Sequence, residues 1–187
     1  MIPFPNKKYN IIYADPCWQY SDPKKNRGGA LRHYNTLGYK EISKLDVNSI
    51  AGEDCILFLW VTFPKLLESF DVIHGWGFEY KTIGFNWVKK NKISDSWFWG
   101  MGSWTRSNAE VCLIGVKGKP KRISASVHSV IDAKIDKHSK KPDCVRDKIV
   151  ELCGDLPRIE LFARQKVEGW DSWGNETEEE TQMSLIK

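Results

Sequence analysis

The sequence predicts an α/β protein in which a largely parallel sheet is flanked by helices. Short apolar runs at residues 11–14, 55–61 and 159–163 have the composition of strands that are buried on both faces. Stretches with apolar residues at helical spacing lie between such runs, and strands that alternate with helices pair mostly in parallel. We therefore expect one domain over residues 1–175, which is long enough to enclose a sizeable core.

The first predicted strand covers residues 11–14, and Pro16 ends it because proline has no N–H to donate to a ladder. Residues 20–32 are polar and contain glycine, which favours a mobile loop directly after this strand. A short helix is predicted over residues 39–46, with two apolar side chains facing the core, namely Ile42 and Leu45.

The middle of the chain predicts a second buried strand over residues 55–61. Pro64 then begins a helix that ends at Gly75, because proline suits a first helical turn and glycine suits a helix stop. Another strand is predicted over residues 80–88. The apolar face of the helix is predicted to consist of Leu66, Leu67, Phe70 and Ile73.

The remaining predicted elements are a strand over residues 109–116, a helix from Pro142 to Gly154, and a last buried strand over residues 159–163. Residues 89–106 are predicted to be a long loop, and long loops in compact domains tend to be functional. The acidic tail, residues 176–187, is expected to be disordered. The inward face of the last helix is predicted to be Val145, Ile149 and Leu152.

The charge distribution favours a phosphate-bearing partner. The chain carries a net charge of +4, and since the tail holds four Glu and one Lys, a net −3, residues 1–175 carry +7. Basic groups are usually solvated loops, but four of them in one domain with nine tryptophans favour nucleic acid. The four groups are residues 24–27 with Arg32, residues 89–92, residues 117–122, and the set Lys134, Lys137, Lys140 and Lys141.

The five cysteines argue against a disulfide framework and against a zinc site, because their number is odd and no two have Cys-x-x-Cys spacing. The N-terminus has no apolar signal core, and no run approaches transmembrane length. We therefore expect an intracellular protein with no metal and no membrane contact. Three of the cysteines lie in apolar runs and are expected to be buried thiols, namely Cys55, Cys112 and Cys153.

The stretch YNIIYADPCW at residues 9–18 carries the clearest chemical signal. Asp15 directly follows a buried strand, where open α/β sheets place their ligands. Its carboxylate and the carbonyl of Pro16 can accept the two hydrogens of an exocyclic amine on a nucleobase, and the indole of Trp18 can stack on the ring. The same residues also fit an acid in a turn and a tryptophan in the core, so by themselves they leave both interpretations open.

This stretch resembles the Asp-Pro-Pro-Trp motif of the adenine N6-methyltransferases, the family of the eukaryotic messenger-RNA adenosine methyltransferase and its bacterial and phage DNA relatives. Further similarities follow in the family's order from residue 9 to residue 176. One four-residue match is weak evidence, whereas this many in one order is a strong signal. They are HYNTL at 33–37, LFLW at 57–60, WGF at 76–78, NWVK at 86–89, EVCLIGVKG at 110–118, HSKKPD at 138–143, ELFAR at 160–164 and GWDSWGNE at 169–176.

The resemblance implies a Rossmann-like methyltransferase fold with a permuted motif order, in which the catalytic motif precedes the cofactor-binding elements. It also implies that S-adenosylmethionine donates a methyl group to the N6 amine of adenine, in DNA, without a metal. The implied setting is the cytoplasm of a bacterium or a phage-infected host.

The resemblance also assigns roles to individual residues. The implied catalytic residues are Asp15, Pro16 and Trp18. Cofactor contacts are implied for Asp15, Lys141, Arg164, Asn175 and Glu176, with His138 orienting the segment of Lys141. The candidate substrate contacts are Tyr34, Asn35, Trp87 and Lys89. Taken alone, Lys141 and Arg164 also fit exposed cations, and Trp87 equally fits a core residue.

Two departures from the family pattern bear on activity. Cys17 replaces the second proline of the motif, and the His-Asn pair that follows the arginine in the eukaryotic enzymes is missing after Arg164. Because of Cys17, a catalytically silent nucleic-acid-binding relative that serves as a partner subunit is an alternative. RNA and free adenine nucleotides are alternative substrates, and the sequence does not decide between a homodimer and a complex with another subunit.

Overall fold

The structure is a computed structural model that describes residues 2–20, 37–102, 104–136 and 140–174. The predicted mobile loop beyond Tyr20 and the predicted disordered tail lie outside these residues. In chain order the elements are β1 (Tyr9–Ala14), α1 (Tyr39–Ser43), β2 (Ala51–Val61), α2 (Leu66–Gly75), β3 (Glu79–Lys90), β4 (Glu110–Lys117), β5 (Val130–Lys134), α3 (Cys144–Cys153), β6 (Arg158–Leu161) and β7 (Asp171–Trp173), with short 3-10 turns at Val47–Ser49 and Phe63–Lys65.

The strands form one seven-stranded sheet in the order β5-β3-β4-β2-β1-β6-β7. β1 lies between β2 and β6 and is parallel to both, with Ile12 opposite Leu57 on one side and Ile159 on the other. β4 is antiparallel to both of its neighbours, whereas every other pair is parallel. Six strands therefore run in one direction and β4 in the other, which confirms the predicted α/β fold with a mostly parallel sheet.

Helices cover both faces of this sheet. Side chains alternate along β1, so that Ile12 and Ala14 lie in one buried cluster and Ile11 and Tyr13 in the other. The first cluster contains residues of α1 and α2, and the second contains residues of α3. Complete burial of each large apolar side chain contributes about 1.5–3 kcal/mol, so the two clusters fix the helices against the central strands.

The inward face of α2 differs from the prediction. The helix begins at Leu66 rather than Pro64, and Leu67 is exposed. Ser69 faces the core instead, because its hydroxyl donates to the carbonyl of Leu66 at 2.6 Å and is thereby satisfied. The buried positions Ser69, Val72, Ile73 and Trp76 have regular helical spacing, which a polar residue at the first position concealed.

Two strands were not predicted. β5 and β7 have five and three residues and lie at the two edges of the sheet. Edge strands are half-exposed and short, so they lack the continuous apolar run that identified the central strands. In the last helix, α3, Val145 and Ile149 are buried as predicted, and Cys153 rather than Leu152 completes the face.

Candidate active site

The candidate site lies at the edge of the sheet where the parallel strands end. Asp15 directly follows β1, whose neighbours β2 and β6 lie on opposite sides of it. The chain passes from β1 to β2 on one side and later returns to β6 on the other, which is the kind of crevice where open α/β sheets bind ligands. Because β4 runs in the opposite direction, its first residue, Glu110, lies at the same edge.

Four charged side chains form a continuous network at this edge. The ammonium of Lys141 donates to both carboxylate oxygens of Asp15, at 2.7 and 2.8 Å, and lies 3.3 Å from Oε2 of Glu110. The ammonium of Lys89 donates to Oε1 of Glu110 at 2.5 Å. The Lys141 and Asp15 side chains are only 8% and 19% exposed. Charges buried to this degree must be paired, and here two cations alternate with two anions.

The pKa values reflect a balance between burial and pairing. Burial raises the pKa of Asp15 above its usual value, although Lys141 opposes this shift. Burial alone would also raise the pKa of Glu110, but Lys141 and Lys89 together hold that pKa below its usual value. Burial tends to lower the pKa of Lys141, yet Asp15 and Glu110 raise it overall, so its ammonium stays charged. The site therefore keeps a fixed cation next to an acid that is easier to protonate than usual.

A short ion-paired connection positions Lys141, which lies three residues before α3. Arg146 of that helix donates to both oxygens of Glu160 on β6, at 2.7 and 2.9 Å, and its guanidinium lies 5.9 Å from the ring of Tyr13 on β1. Bidentate pairs of this kind are geometrically specific. They fix the start of α3 against the central strands and thus set the distance between Lys141 and Asp15.

Aromatic side chains form the wall beneath the charges. The ammonium of Lys141 lies 5.7 Å from the ring of Trp60, and that of Lys89 lies 4.9 Å from the ring of Trp87. The two indoles meet edge to face, 6.5 Å apart. Trp18 is almost completely buried, and its indole N–H donates to the carbonyl of Trp60 at 3.0 Å. These rings exclude water from one side of the ion network and add cation–π attraction.

The backbone of the Asp-Pro-Cys-Trp stretch makes a tight turn. The N–H of Trp18 donates to the carbonyl of Pro16 at 2.9 Å, which closes a three-residue turn centred on Cys17. A carbonyl oxygen has two lone pairs, so that of Pro16 can accept a second hydrogen bond. Leu37 pairs with the backbone of Cys17 and Gln19. The chain that leaves this turn therefore returns to it at Leu37, 17 residues after Tyr20.

The segment after β6 brings Arg164 to the same edge. Among the described non-glycine residues, only Phe162 has a positive φ, 60°, a rare conformation for a bulky residue. Gly174, directly after β7, lies so close to Ala163 that a Cβ would be 2.4 Å from its carbonyl oxygen. Arg164 is half-buried, and its charge helps to lower the pKa of Asp15. The close approach requires glycine at position 174.

The structure brings several predicted site residues together and places others in the core. Asp15, Lys89 and Lys141 belong to one ion network. Trp87 is buried, and its indole donates to the carbonyl of Ala133 at 2.9 Å, which is the core environment that the sequence left as an equal alternative. The predicted residues that lie outside the described part of the chain are Tyr34, Asn35, His138, Asn175 and Glu176.

Sequence reasoning assigned no role to Glu110, the residue that joins the two lysines. Its position at the start of an apolar strand gave a weak signal, because the start of a parallel strand lies at the edge opposite the ligand site. Only the antiparallel direction of β4 places Glu110 beside Asp15. The same direction carries the basic group at residues 117–122 to the opposite edge, where Lys117 pairs with Cys55 at the start of the buried run of β2.

Comparison with known proteins agrees with the motif order. The sequence profile of the family described as MT-A70 matches residues 9–176. The chain belongs to the MT-A70 family. This confirms the resemblance drawn from the motifs, and the match begins at the first residue of β1 and includes every strand of the sheet.

Relatives of this MT-A70 protein include both prokaryotic and eukaryotic methyltransferases. The chain is 39% identical to the type II methyltransferase M.MunI of a Mycoplasma species over 92% of its own length and 79% of that protein. It is 31% identical to the catalytic subunit METTL3 of human N(6)-adenosine-methyltransferase, over 90% of its own length but 28% of that protein. A relative from Arabidopsis thaliana, named N(6)-adenosine-methyltransferase MT-A70-like, is 29% identical to the chain over 90% of the chain's length and 24% of the relative's length.

Two further observations concern the described residues of the MT-A70 domain. No group of three or more His, Cys, Asp or Glu side chains in them is arranged to hold a metal ion. None of their helices is both long and apolar enough to cross a membrane.

Proposed function

We propose that this MT-A70 protein transfers a methyl group from S-adenosylmethionine to the N6 amine of adenine in DNA. The observation that carries the proposal is the buried pair between Asp15, the first residue of the Asp-Pro-Cys-Trp motif at the carboxyl end of β1, and Lys141 just before α3. The choice of DNA is supported by the 39% identity to the type II methyltransferase M.MunI. The N(6)-adenosine-methyltransferases are less similar, at 31% or below.

The charged side chains of the site fit the methionine end of the cofactor, which carries one ammonium and one carboxylate. Lys141 offers an ammonium for the carboxylate, and Asp15 offers a carboxylate for the ammonium. When bound, the cofactor supplies a methyl group on a sulfonium, from which transfer is intrinsically favourable. Arg164, Asn175 and Glu176 are proposed to lie around its ribose.

Ligand binding exchanges partners in the ion network without leaving a buried charge unpaired. A carboxylate that reaches Lys141 competes with Asp15 for its N–H groups, and Asp15 then becomes available to hydrogen-bond donors of the ligands. Glu110 keeps Lys141 in place during the exchange, since it lies 3.3 Å away and is itself held by Lys89. Removal of one partner from a buried pair is costly, so this exchange keeps the site stable in both states.

The same residues account for activation of the adenine amine. Its nitrogen is a weak nucleophile because its lone pair is delocalised into the ring. Asp15 and the second lone pair of the Pro16 carbonyl accept its two N–H groups and turn the lone pair toward the methyl group. The new nitrogen–carbon bond would form as the methyl–sulfur bond breaks, S-adenosylhomocysteine would leave, and the surplus proton of the amine would pass to solvent. Stacking of Trp18 on the base would fix the plane of the base and would require the nearly buried ring to become exposed. Such positioning and fixed charge supply most of the rate enhancement. Tyr34, Asn35 and Lys89 remain the proposed substrate contacts, whereas Trp87 belongs to the core.

Methyl transfer from labelled S-adenosylmethionine tests this proposal. Duplex DNA, single-stranded DNA, RNA and free adenine nucleotides are offered in parallel, and the product nucleosides are identified by mass spectrometry. We expect N6-methyladenine in DNA from the wild-type protein and a rate at least about 100-fold lower from Asp15→Asn. Asp171→Asn is the matched control, because Asp171 also pairs with a lysine, Lys7 at 2.6 Å, but lies at the start of β7.

Other outcomes of the assay separate the alternatives. If N6-methyladenine were found in RNA alone, the substrate would be RNA rather than DNA. Cofactor binding without product in any pool would point to a substrate outside the panel or a missing partner subunit. Absence of both product and cofactor binding would favour the catalytically silent relative that Cys17 suggests.

A further inference from the structure

The nine tryptophans of the chain fall into two distinct sets. Six are at most 9% exposed and belong to the two cores. The other three, Trp97, Trp99 and Trp104, are 45%, 55% and 99% exposed, and all lie in the segment that joins β3 to β4. We call this segment, residues 91–109, the tryptophan loop. Exposed aromatic residues concentrated in one segment mark an interaction site.

Hydrogen bonds hold the described part of the tryptophan loop in a defined shape. Trp97 pairs antiparallel with Lys90, and the N–H of Gly100 donates to the carbonyl of Ser107 at 2.7 Å. The guanidinium of Arg106 donates to the carbonyls of Trp99 and Gly100, at 3.1 and 2.8 Å. Because these bonds fix the backbone at Trp97 and Trp99, those two indoles lose little further conformational freedom on binding a partner.

The tryptophan loop is directly connected to the candidate active site. The residues that flank it on β3 and β4 include Lys89 and Glu110, which form the outer half of the ion network. Asn108, near the end of the tryptophan loop, joins the loop to β3. Its side chain accepts from the N–H of Lys89 at 2.8 Å and donates to the carbonyl of Lys89 at 2.8 Å. The tryptophan loop therefore begins and ends at the carboxyl edge of the sheet, next to the residues that form the outer half of the ion network.

The charge of this region is complementary to nucleic acid. The tryptophan loop contains Lys92 and Arg106 against a single acid, Asp95, a net charge of +1. The two lysines that precede it, Lys89 and Lys90, are paired with Glu110 and Asp132. Exposed aromatic faces among cations are the combination that binds unpaired bases together with their phosphates. A protein partner would be expected to bury the apolar faces without requiring this excess of positive charge.

We propose that Trp97, Trp99 and Trp104 form a stacking platform for unpaired bases next to the target adenine. The inference rests on the proposed function, because an adenine can reach the deep site of Asp15 only after it leaves the base stack. The bases beside the flipped adenine lose their stacking contact with it, and stacking on the exposed indoles replaces that contact. Each base–aromatic contact of this kind changes affinity roughly 5- to 150-fold when the ring is removed.

The test compares wild-type protein with the double variant Trp99→Ala/Trp104→Ala and with Trp99→Phe/Trp104→Phe, which retains flat rings. Ile123→Ala is the control, since Ile123 is 72% exposed and lies in the connection after β4, which ends at the opposite edge. Three quantities are measured: oligonucleotide affinity by fluorescence anisotropy, acrylamide quenching of tryptophan with and without oligonucleotide, and kcat/KM for methyl transfer to duplex DNA.

We expect the double alanine variant to bind single-stranded oligonucleotide at least about 5-fold more weakly and to lose the protection of tryptophan from acrylamide. We also expect kcat/KM on duplex DNA to fall through KM, the phenylalanine variant to recover most of the loss, and cofactor binding to stay unchanged. The proposal is overturned if affinity and quenching protection equal those of the wild type. It is also overturned if light scattering shows a wild-type oligomer that the alanine variant dissociates, because the platform would then bind a second copy.

The two proposals fail in different ways. If the wild-type protein methylates DNA and the double alanine variant does so with equal kcat/KM, only the stacking platform is wrong. If the wild-type protein methylates no nucleic acid, the proposed function is wrong, and the anisotropy and quenching measurements decide the platform on their own.

Discussion

Replacement of Lys141 by methionine should destabilise the fold in a strongly pH-dependent way. The substitution keeps the length and apolar stem of the side chain but removes the ammonium that contacts both oxygens of Asp15. Glu110 loses one cation but keeps Lys89 at 2.5 Å. Asp15 keeps only the more distant attraction of Arg164. The change therefore leaves one buried carboxylate without a hydrogen-bonded cation.

The size of the effect follows from burial and pairing. Removal of one partner from a buried ion pair costs about 3–5 kcal/mol, and the lower figure applies because Asp15 is 19% exposed. For a domain of this size, about 3 kcal/mol corresponds to a decrease in Tm of roughly 6–12 °C. Protonation of Asp15 removes the buried charge, after which the loss falls to that of a hydrogen bond, about 1 kcal/mol.

The direction of the pH dependence follows from linkage. Burial already raises the pKa of Asp15 in the wild type, and loss of Lys141 raises it further. A carboxyl group whose pKa is higher in the folded state than in the unfolded state costs stability as the pH rises from the unfolded to the folded value. The stability difference between wild type and variant should thus be largest in neutral and basic buffer, and should shrink as the pH falls through the raised pKa of Asp15.

Urea unfolding followed by circular dichroism, at about pH 8 and about pH 5, measures this difference. Lys140→Met is the matched control, because the neighbouring Lys140 pairs with Asp143 at the surface, and such pairs contribute about 1 kcal/mol or less. The double variant Asp15→Asn/Lys141→Met should be more stable than Lys141→Met at the higher pH. An equal loss at both pH values, or no recovery in the double variant, would refute the account of the ion network.

The other predictions concern the catalytic turn and the loop that carries Arg164. Asp15→Asn should fold, because an amide still accepts from Lys141, but should lose methyl transfer by about 10²-fold or more, measured as kcat in the labelled assay. Cys17→Pro should keep both activity and Tm, because Cys17 has a negative φ and the centre of an inverse γ-turn near −75° suits proline; a large loss of activity would contradict this turn geometry. Gly174→Ala should lower Tm and weaken cofactor binding, since the new methyl group would lie 2.4 Å from a backbone oxygen, whereas Gly38→Ala, with its nearest atom at 3.4 Å, should change neither; calorimetry measures both quantities.

The sequence predicted the centre of the fold better than its periphery. Continuous apolar runs identified β1, β2 and β6 because those strands are covered on both faces, and helix stops at Gly75 and Gly154 agree with the observed ends of α2 and α3 to within one residue. The edge strands β5 and β7 were missed because half-exposed short strands carry little apolar signal. The exposed position of Leu67 was missed because a buried serine interrupts the apolar spacing of α2.

Site residues could be predicted when their position depends only on where a strand ends. They could not be predicted when their position depends on the direction in which a strand runs. Asp15 could be placed from the end of an apolar run, and Lys141 from the motif order. Glu110 could not, because nothing in its local sequence reveals that β4 runs antiparallel. The distances within the ion network depend on side chains that are 126 residues apart, and local patterns contain no information about such separations.

The antiparallel direction of β4 links the two halves of the proposed activity. It brings Glu110 next to Lys141, so that the charge of the lysine proposed to bind the cofactor is balanced from the strand that follows the tryptophan loop. If β4 were parallel to β3, the connection between them would have to cross the sheet and enter β4 at the edge opposite Asp15. With β4 reversed, the connection turns at the edge that contains Asp15 and carries three exposed indoles. One reversed strand thus accounts both for the stability of the buried charges and for the position of the surface proposed to hold the bases beside the target adenine.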